Sequence, residues 1–172
     1  CKIGDNVYIK DVRLLMNYDI EENVIIINSD KVAVSGESTF GNGVEIEVLN
    51  EGGGRELKIF DNLLSQIAYM LVNYQHAPEF IKKLNSLVDN YVESIKSTKG
   101  YIAKNVRIEN CKQIENVKIG HSAYLNSVLN LNNGTIASSE EAPVTVGEGV
   151  IAKNFIIQSG SVVDSSAIVS EC

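Results

Sequence analysis

A mainly β fold is predicted by this sequence of 172 residues: a parallel β-helix of about 17-residue coils, interrupted by an α-helical hairpin. Three observations carry the prediction. A short phrase recurs along the chain, several of its recurrences are 17 residues apart, and the apolar period changes from two to 3.6 in one internal segment only.

The phrase starts at Ile3, Ile20, Phe40, Ile102, Ile119, Val146 and Val163. Its first position is aliphatic or Phe, its fifth Val or Ala, and its seventh usually aliphatic. These inward positions suit short, half-buried strands. Positions two to four turn a corner, and the Gly, Asn or Ser at position four tolerates left-handed backbone angles. Asparagine occurs 18 times, 14 of them outside residues 57–98, as polar ladders at stacked corners would require.

The intervals between starts are 17, 20, 62, 17, 27 and 17 residues. Seventeen is close to three six-residue steps, followed directly at Ile102, Ile108, Ile114 and Ile119. Each coil then supplies three short strands that pair with their equivalents in the next coil. The longer intervals predict a small loop at Asn28–Lys31, a polar loop at Asn132–Pro143, and a large insertion from Gly53 to Ser97. The expected organisation is β-helix coils over 1–52, a helical hairpin over 53–99, and further coils over 100–172.

Within the insertion, Leu63, Leu64, Ile67, Leu71 and Tyr74 fall on one helical face, with Asp61 as the expected N-cap. Pro78 suits the first turn of a second helix bearing Phe80, Ile81, Leu84, Leu87, Val88, Tyr91, Val92 and Ile95. Two helices of about 16 and 19 residues joined by a short link predict an antiparallel hairpin.

Charge and cysteine content exclude several function classes. A net charge of −7 argues against a nucleic-acid or anionic-membrane partner, each of which needs a basic footprint. No apolar run approaches the roughly 20 residues of a membrane span. Cys1, Cys111 and Cys172 have neither disulfide-framework nor zinc spacing, so a reducing, cytoplasmic setting is expected. Two histidines do not make a three-His zinc site, and no metal is expected. The chain begins without Met and ends in mid-pattern, which predicts an excerpt of a longer protein.

The stretches "VSGESTFGNGVEIEVLNEGGGRELKIFDNLLSQIAYMLVNY" and "EAPVTVGEGVIAKNFIIQSGSVVDSSAIVSEC" resemble an uncharacterised hexapeptide-repeat family common in Bacteroidetes. The likeness covers essentially the whole chain. It implies a left-handed β-helix, a handedness the spacing does not supply, and a distant similarity to sugar-nucleotide acyltransferases and the acetyltransferase half of N-acetylglucosamine-1-phosphate uridyltransferase. Members of that superfamily are typically trimers with sites between subunits. The implied partners are a sugar nucleotide or acyl-coenzyme A and further copies of the chain. No catalytic motif of those enzymes is matched here, and the cofactor is unknown.

Candidate residues are weighed on their chemistry. His121 suits a general base that deprotonates an amine or hydroxyl, but its corner position also fits a plain surface histidine. In "LNEGGGREL", Gly52, Gly53 and Gly54 would let backbone N–H groups approach a ligand, and Arg55 would fork onto a phosphate or carboxylate. Glu51 and Glu56 would act as acid or base, or pair with Arg55; equally, the glycines would serve as a flexible exit into the insertion. Asn133, in the polar loop, would reach a sugar hydroxyl or remain surface, and His76 suits the end of the first helix.

Two function classes therefore stand side by side: a transferase acting on an acyl donor or activated sugar, and a non-catalytic assembly module whose hairpin sets the oligomer.

Overall fold

The computed structural model describes residues 1–48 and 52–172. Its core is a single 13-stranded sheet whose pairings are all parallel, accompanied by a two-stranded antiparallel ribbon and two helices. The mainly β expectation holds, and the arrangement is consistent with a parallel β-helix.

Strands stack in three columns. The first runs Lys2–Ile3, Tyr18–Ile20, Gly100–Ile102, with Lys2↔Asp19 and Asp19↔Tyr101 in register. The second aligns Ile9, Ile26, Ile108 and Leu125. The third aligns Leu15, Val32, Ile114, Leu131 and Ala152. Alternation puts one side chain in two inward, so Ile26, Ile102, Ile108, Ile114, Ile119 and Leu131 are fully buried. Each such burial contributes about 1.5–3 kcal/mol.

Corners are made by residues in the left-handed region. Asn6, Asn23, Asn105 and Ser122, all in position four of the phrase, have φ between 56° and 61°. Asn28 and Asn110 turn the second corner, and Asn17, Asn116, Asn133 and Asn154 the third. Their amides form the expected ladders: Asn6 Nδ2 donates to Asn23 Oδ1 at 3.3 Å, Asn28 Nδ2 to Asn110 Oδ1 at 2.7 Å, and Asn133 Nδ2 to Asn154 Oδ1 at 2.9 Å. Short polar side chains tolerate this backbone because they hydrogen-bond locally.

The Phe40 phrase departs from the series. Its following strand, Glu45–Glu47, pairs antiparallel with Glu56–Lys58 rather than joining the parallel sheet. Tyr18–Ile20 instead pairs with Gly100–Ile102, and corner partners across this junction are 82 residues apart rather than 17. No loop is inserted at Asn28–Lys31: those residues lie in the strand Ile25–Ala33, which bends from the second column to the third at Asn28, and the 20-residue interval that implied a loop ran to Phe40. The polar loop is shorter than expected, since Asn130–Ala137 is strand and the irregular stretch is residues 138–144. Position four of the Val146 and Val163 phrases turns a different corner from that of Ile119, so the 27-residue interval overstated the insertion. Asn133 and Asn154 are only 21 apart.

The helices are α1, Ser65–Asn73, and α2, Pro78–Ile95. Pro78 opens α2 as expected. Helix α1 is much shorter than expected, and Leu64, not Asp61, stands at its N-cap, without a side-chain cap. Asp61 is engaged elsewhere: its backbone N–H donates to Asn42 Oδ1 at 2.7 Å, and its carboxylate accepts from the Tyr91 hydroxyl and lies 3.7 Å from Lys118 Nζ. Leu57, Ile59, Leu71 and Val72 form a second small core against Ile156, on the outward side of the strand Ile151–Gln158. A bridge between Ser38 and Ser97 closes the base of the excursion, the departure from the stacked strands between Ile25–Ala33 and Gly100–Ile102. No helix among the described residues is long and apolar enough to cross a membrane.

Two aromatic residues are threaded inside the coils, each opposite a glycine. Tyr18 is fully buried, with its hydroxyl donating to Val117 O at 2.7 Å, and a Cβ on Gly100 would overlap its ring. Phe155 lies over Gly134 in the same way. Gly134→Ala should therefore destabilise the fold by about 1–3 kcal/mol through overpacking. Chemical denaturation should show that loss and its partial recovery in the double variant with Phe155→Leu.

Candidate functional site

The first-column corners place position two or three of four phrases side by side: Asp5, Glu21 with Glu22, Lys104, and His121. Above them runs an outward ladder of Lys2, Asp19, Tyr101 and Lys118, each one residue before an inward isoleucine. All but His121 and Lys118 line an open groove of about 490 Å³, whose walls include Asp5, Asp19, Glu21, Glu22, Tyr101 and Lys104; His121 stands one strand further along, behind Glu21.

Glu21 organises this groove. It accepts from the Tyr101 hydroxyl, and its Oε2 accepts from the Lys104 backbone N–H at 3.1 Å. His121 Nδ1 lies 4.0 Å from the same oxygen. The Tyr101 hydrogen bond, followed by the Lys104 N–H and the neighbouring His121 and Lys104 charges, holds the Glu21 carboxyl below its ordinary range; burial opposes them. Burial and the hydrogen bond to Glu21 push the Tyr101 hydroxyl up to about 12. Lys104 Nζ pairs with Glu22 Oε1 at 3.0 Å.

His121 is half-exposed rather than simply pointing into solvent. Its Nδ1 is buried and without a hydrogen-bond partner, which turns that nitrogen toward Glu21 and leaves the rest of the ring accessible. The 4.0 Å separation is an ion-pair approach beyond hydrogen-bond range. An imidazole beside a carboxylate is a residue type suited to general-base chemistry.

The other candidates lie elsewhere. Gly52, Gly53, Gly54 and Arg55 are exposed between the two strands of the antiparallel ribbon, and Gly54 N–H donates to Glu56 Oε1 at 3.0 Å. Glu51 lies outside the described residues. Asn133 sits at a third-column corner, where its Oδ1 accepts from Gly41 N–H at 3.0 Å and its amide bonds Asn154, so it fastens the excursion to the coils. His76 is exposed beyond α1, with its ring 5.5 Å from that of Tyr74. No group of three or more His, Cys, Asp or Glu among the described residues is placed to hold a metal. Buried Cys111 is unreactive, its thiol pushed up to about 11 by burial.

Reading down the corner phrases at Ile20, Ile102 and Ile119 could have found Glu21 and Lys104 beside His121. The interposed Phe40 phrase hid that adjacency.

The chain belongs to the family described as "Domain of unknown function (DUF4954)", whose model matches residues 1–172. It is 25% identical over 171 residues to an uncharacterized protein of Treponema pallidum (strain Nichols), a match covering 93% of this chain and 24% of that protein. The chain thus spans about a quarter of the length of that relative. No solved structure matches.

Because the carboxyl of Glu21 titrates lower folded than unfolded, it adds stability above the unfolded value of about 4.3, lost as pH falls through the folded value. Melting temperatures measured from pH 7 to pH 3 should fall less steeply for Glu21→Gln than for the wild type in the acid limb.

Proposed function

We propose that this chain is part of an acyl- or sugar-nucleotide-type transferase built on a left-handed, hexapeptide-repeat parallel β-helix. His121, backed by Glu21, takes the proton from an acceptor hydroxyl or amine lying in the groove. The observation that carries the reading is the buried Nδ1 of His121 at 4.0 Å from Oε2 of Glu21, a residue that lines a groove of about 490 Å³. Removal of that proton as the acceptor attacks the donor's carbonyl or phosphorus is what a positioned imidazole supplies, typically about 10²–10⁴-fold in rate. Tyr101 and the Lys104 N–H fix the Glu21 carboxylate, whose Oε2 lies 4.0 Å from the ring nitrogen. The donor would be acyl-coenzyme A or a sugar nucleotide. By likeness to the wider superfamily, the working unit would be a trimer with the cleft completed by a neighbouring copy. Arg55 and the adjacent glycines, exposed on the ribbon, would contribute to a donor site only across such an interface.

A second reading, an assembly module, is favoured by the hairpin's surface. Leu64, Tyr69 and Leu87 are each more than 60% exposed, large apolar side chains that a protein contact would cover. In that reading the helices set the oligomer and no transfer occurs.

Release of free thiol from acetyl-coenzyme A, against a panel of amines and amino sugars, tests the proposal in the full-length protein. The wild type should release thiol with at least one acceptor, and His121→Asn should slow it about 100-fold or more. Equal rates in wild type and variant, or no release under any condition and with a parallel sugar-nucleotide assay silent, would contradict it.

A further inference from the structure

A second, smaller cavity of about 210 Å³ lies where the excursion meets the strand face. One wall is Phe40, Ile95 and Ser97 from the excursion; the other is Tyr101 and Lys118 from adjacent strands, with Lys99 at the rim. Its chemistry is two-sided. Phe40, Ile95 and the Tyr101 ring are apolar, whereas Lys99 and Lys118 bring two positive charges into a chain of net charge −7. Each ammonium has a carboxylate nearby but outside hydrogen-bond range: Lys118 Nζ is 3.7 Å from Asp61 Oδ2, and Lys99 Nζ is 3.9 Å from Asp19 Oδ1. Both lysines are thus ion-paired at long range, and a bound anion would compete with Asp61 and Asp19 for them.

The backbone adds an independent sign. Phe40 has φ 54°, a left-handed conformation that is unusual for a bulky side chain and costs energy unless its surroundings enforce it. They do: its N–H donates to Ser38 Oγ at 2.9 Å, and its carbonyl accepts from Thr135 Oγ1 at 2.6 Å. The result is a nearly buried ring held against the cavity.

We infer that this cavity binds a small organic anion, a carboxylate or phosphate monoester carrying a compact apolar or aromatic body. The body lies against Phe40, Ile95 and Tyr101, and the headgroup bridges Lys99 and Lys118. A dry cavity of about 150 Å³ accommodates benzene, so about 210 Å³ suits one ring with its headgroup at the mouth. Tyr101 also lines the Glu21 groove, so the anion would sit next to the proposed reaction site while its binding needs no turnover.

Calorimetric titration of the full-length protein with phenyl phosphate and with benzoate tests the inference. Benzyl alcohol serves as the neutral counterpart and inorganic phosphate as the headgroup alone. Saturable binding of phenyl phosphate or benzoate is expected, whichever binds identifying the headgroup. Binding at least tenfold weaker is expected for both controls. Lys99→Gln and Lys118→Gln should each weaken it severalfold. Ile95→Phe, which fills the cavity while leaving both lysines in the chain, should abolish binding while melting stays within a few degrees of wild type. No saturable binding by the wild type, equal binding of benzyl alcohol, or binding indifferent to Ile95→Phe would overturn the inference. Binding that persists in His121→Asn, with the transferase assay silent, would separate this site from the proposed reaction.

Discussion

Apart from the irregular stretch 138–144, the turns between columns pass through a residue held at positive φ, and the rest of the structure depends on that repeated corner. A side chain with a Cβ resists this backbone by roughly 1–2 kcal/mol per residue, and asparagine resists least because its amide bonds nearby groups. Here those amides reach the equivalent corner of the next coil, as in the Asn28–Asn110 and Asn133–Asn154 pairs. The corner therefore fixes both the bend and the stacking register. With register fixed, every second side chain points inward, and Ile26, Ile108 and Leu125 lie over one another without access to water.

That same register builds the outward surface. Side chains one residue before the inward isoleucines align as Lys2, Asp19, Tyr101 and Lys118, continuing in register to Thr135 and Ile156. The lower part of this ladder is covered by the excursion, through Thr135 with Phe40 and Ile156 with the second core. The upper part is left open as the groove lined by Glu21. Tyr101 stands at the division, lining both the groove and the smaller cavity. One ladder thus serves as docking surface at one end and candidate site at the other.

Much of this was legible in the sequence, and the reasons for the exceptions are physical. Asn6, Asn23 and Asn105 announced their corners because few residues other than glycine adopt that backbone readily. Phe40-Gly41-Asn42-Gly43 misled because it is a real turn, with Gly43 at φ 83°, but one that belongs to the excursion. Local pattern records a bend, not its stacking partner. Asp61 read as a helix cap because it precedes an amphipathic run, yet tertiary bonds to Tyr91, Asn42 and Lys118 claim it and the helix begins later. Tyr18 and Phe155 inside the coils were not anticipated, since their accommodation depends on Gly100 and Gly134 in other coils. Of the candidate site, His121 was legible from its chemistry alone. Glu21 was hidden by the interposed Phe40 phrase, and Tyr101 meets it only through the pairing of Ile20 with Ile102.

The central claim is that coils before and after the excursion stack directly, Tyr18–Ile20 on Gly100–Ile102 and Ile25–Ile27 on Arg107–Glu109, whatever lies between them in sequence. Hydrogen exchange tests it most directly, on full-length protein in which residues 36–98 are replaced by a short glycine–serine link. The amides of Glu21, Ile25 and Gly100, which donate to Ile102, Val106 and Asn17 across this junction, should remain protected at rates close to those of the intact protein. Exchange of these three amides as fast as in unstructured chain, with protection retained at Gly120 and Tyr124 further along the stack, would contradict direct stacking.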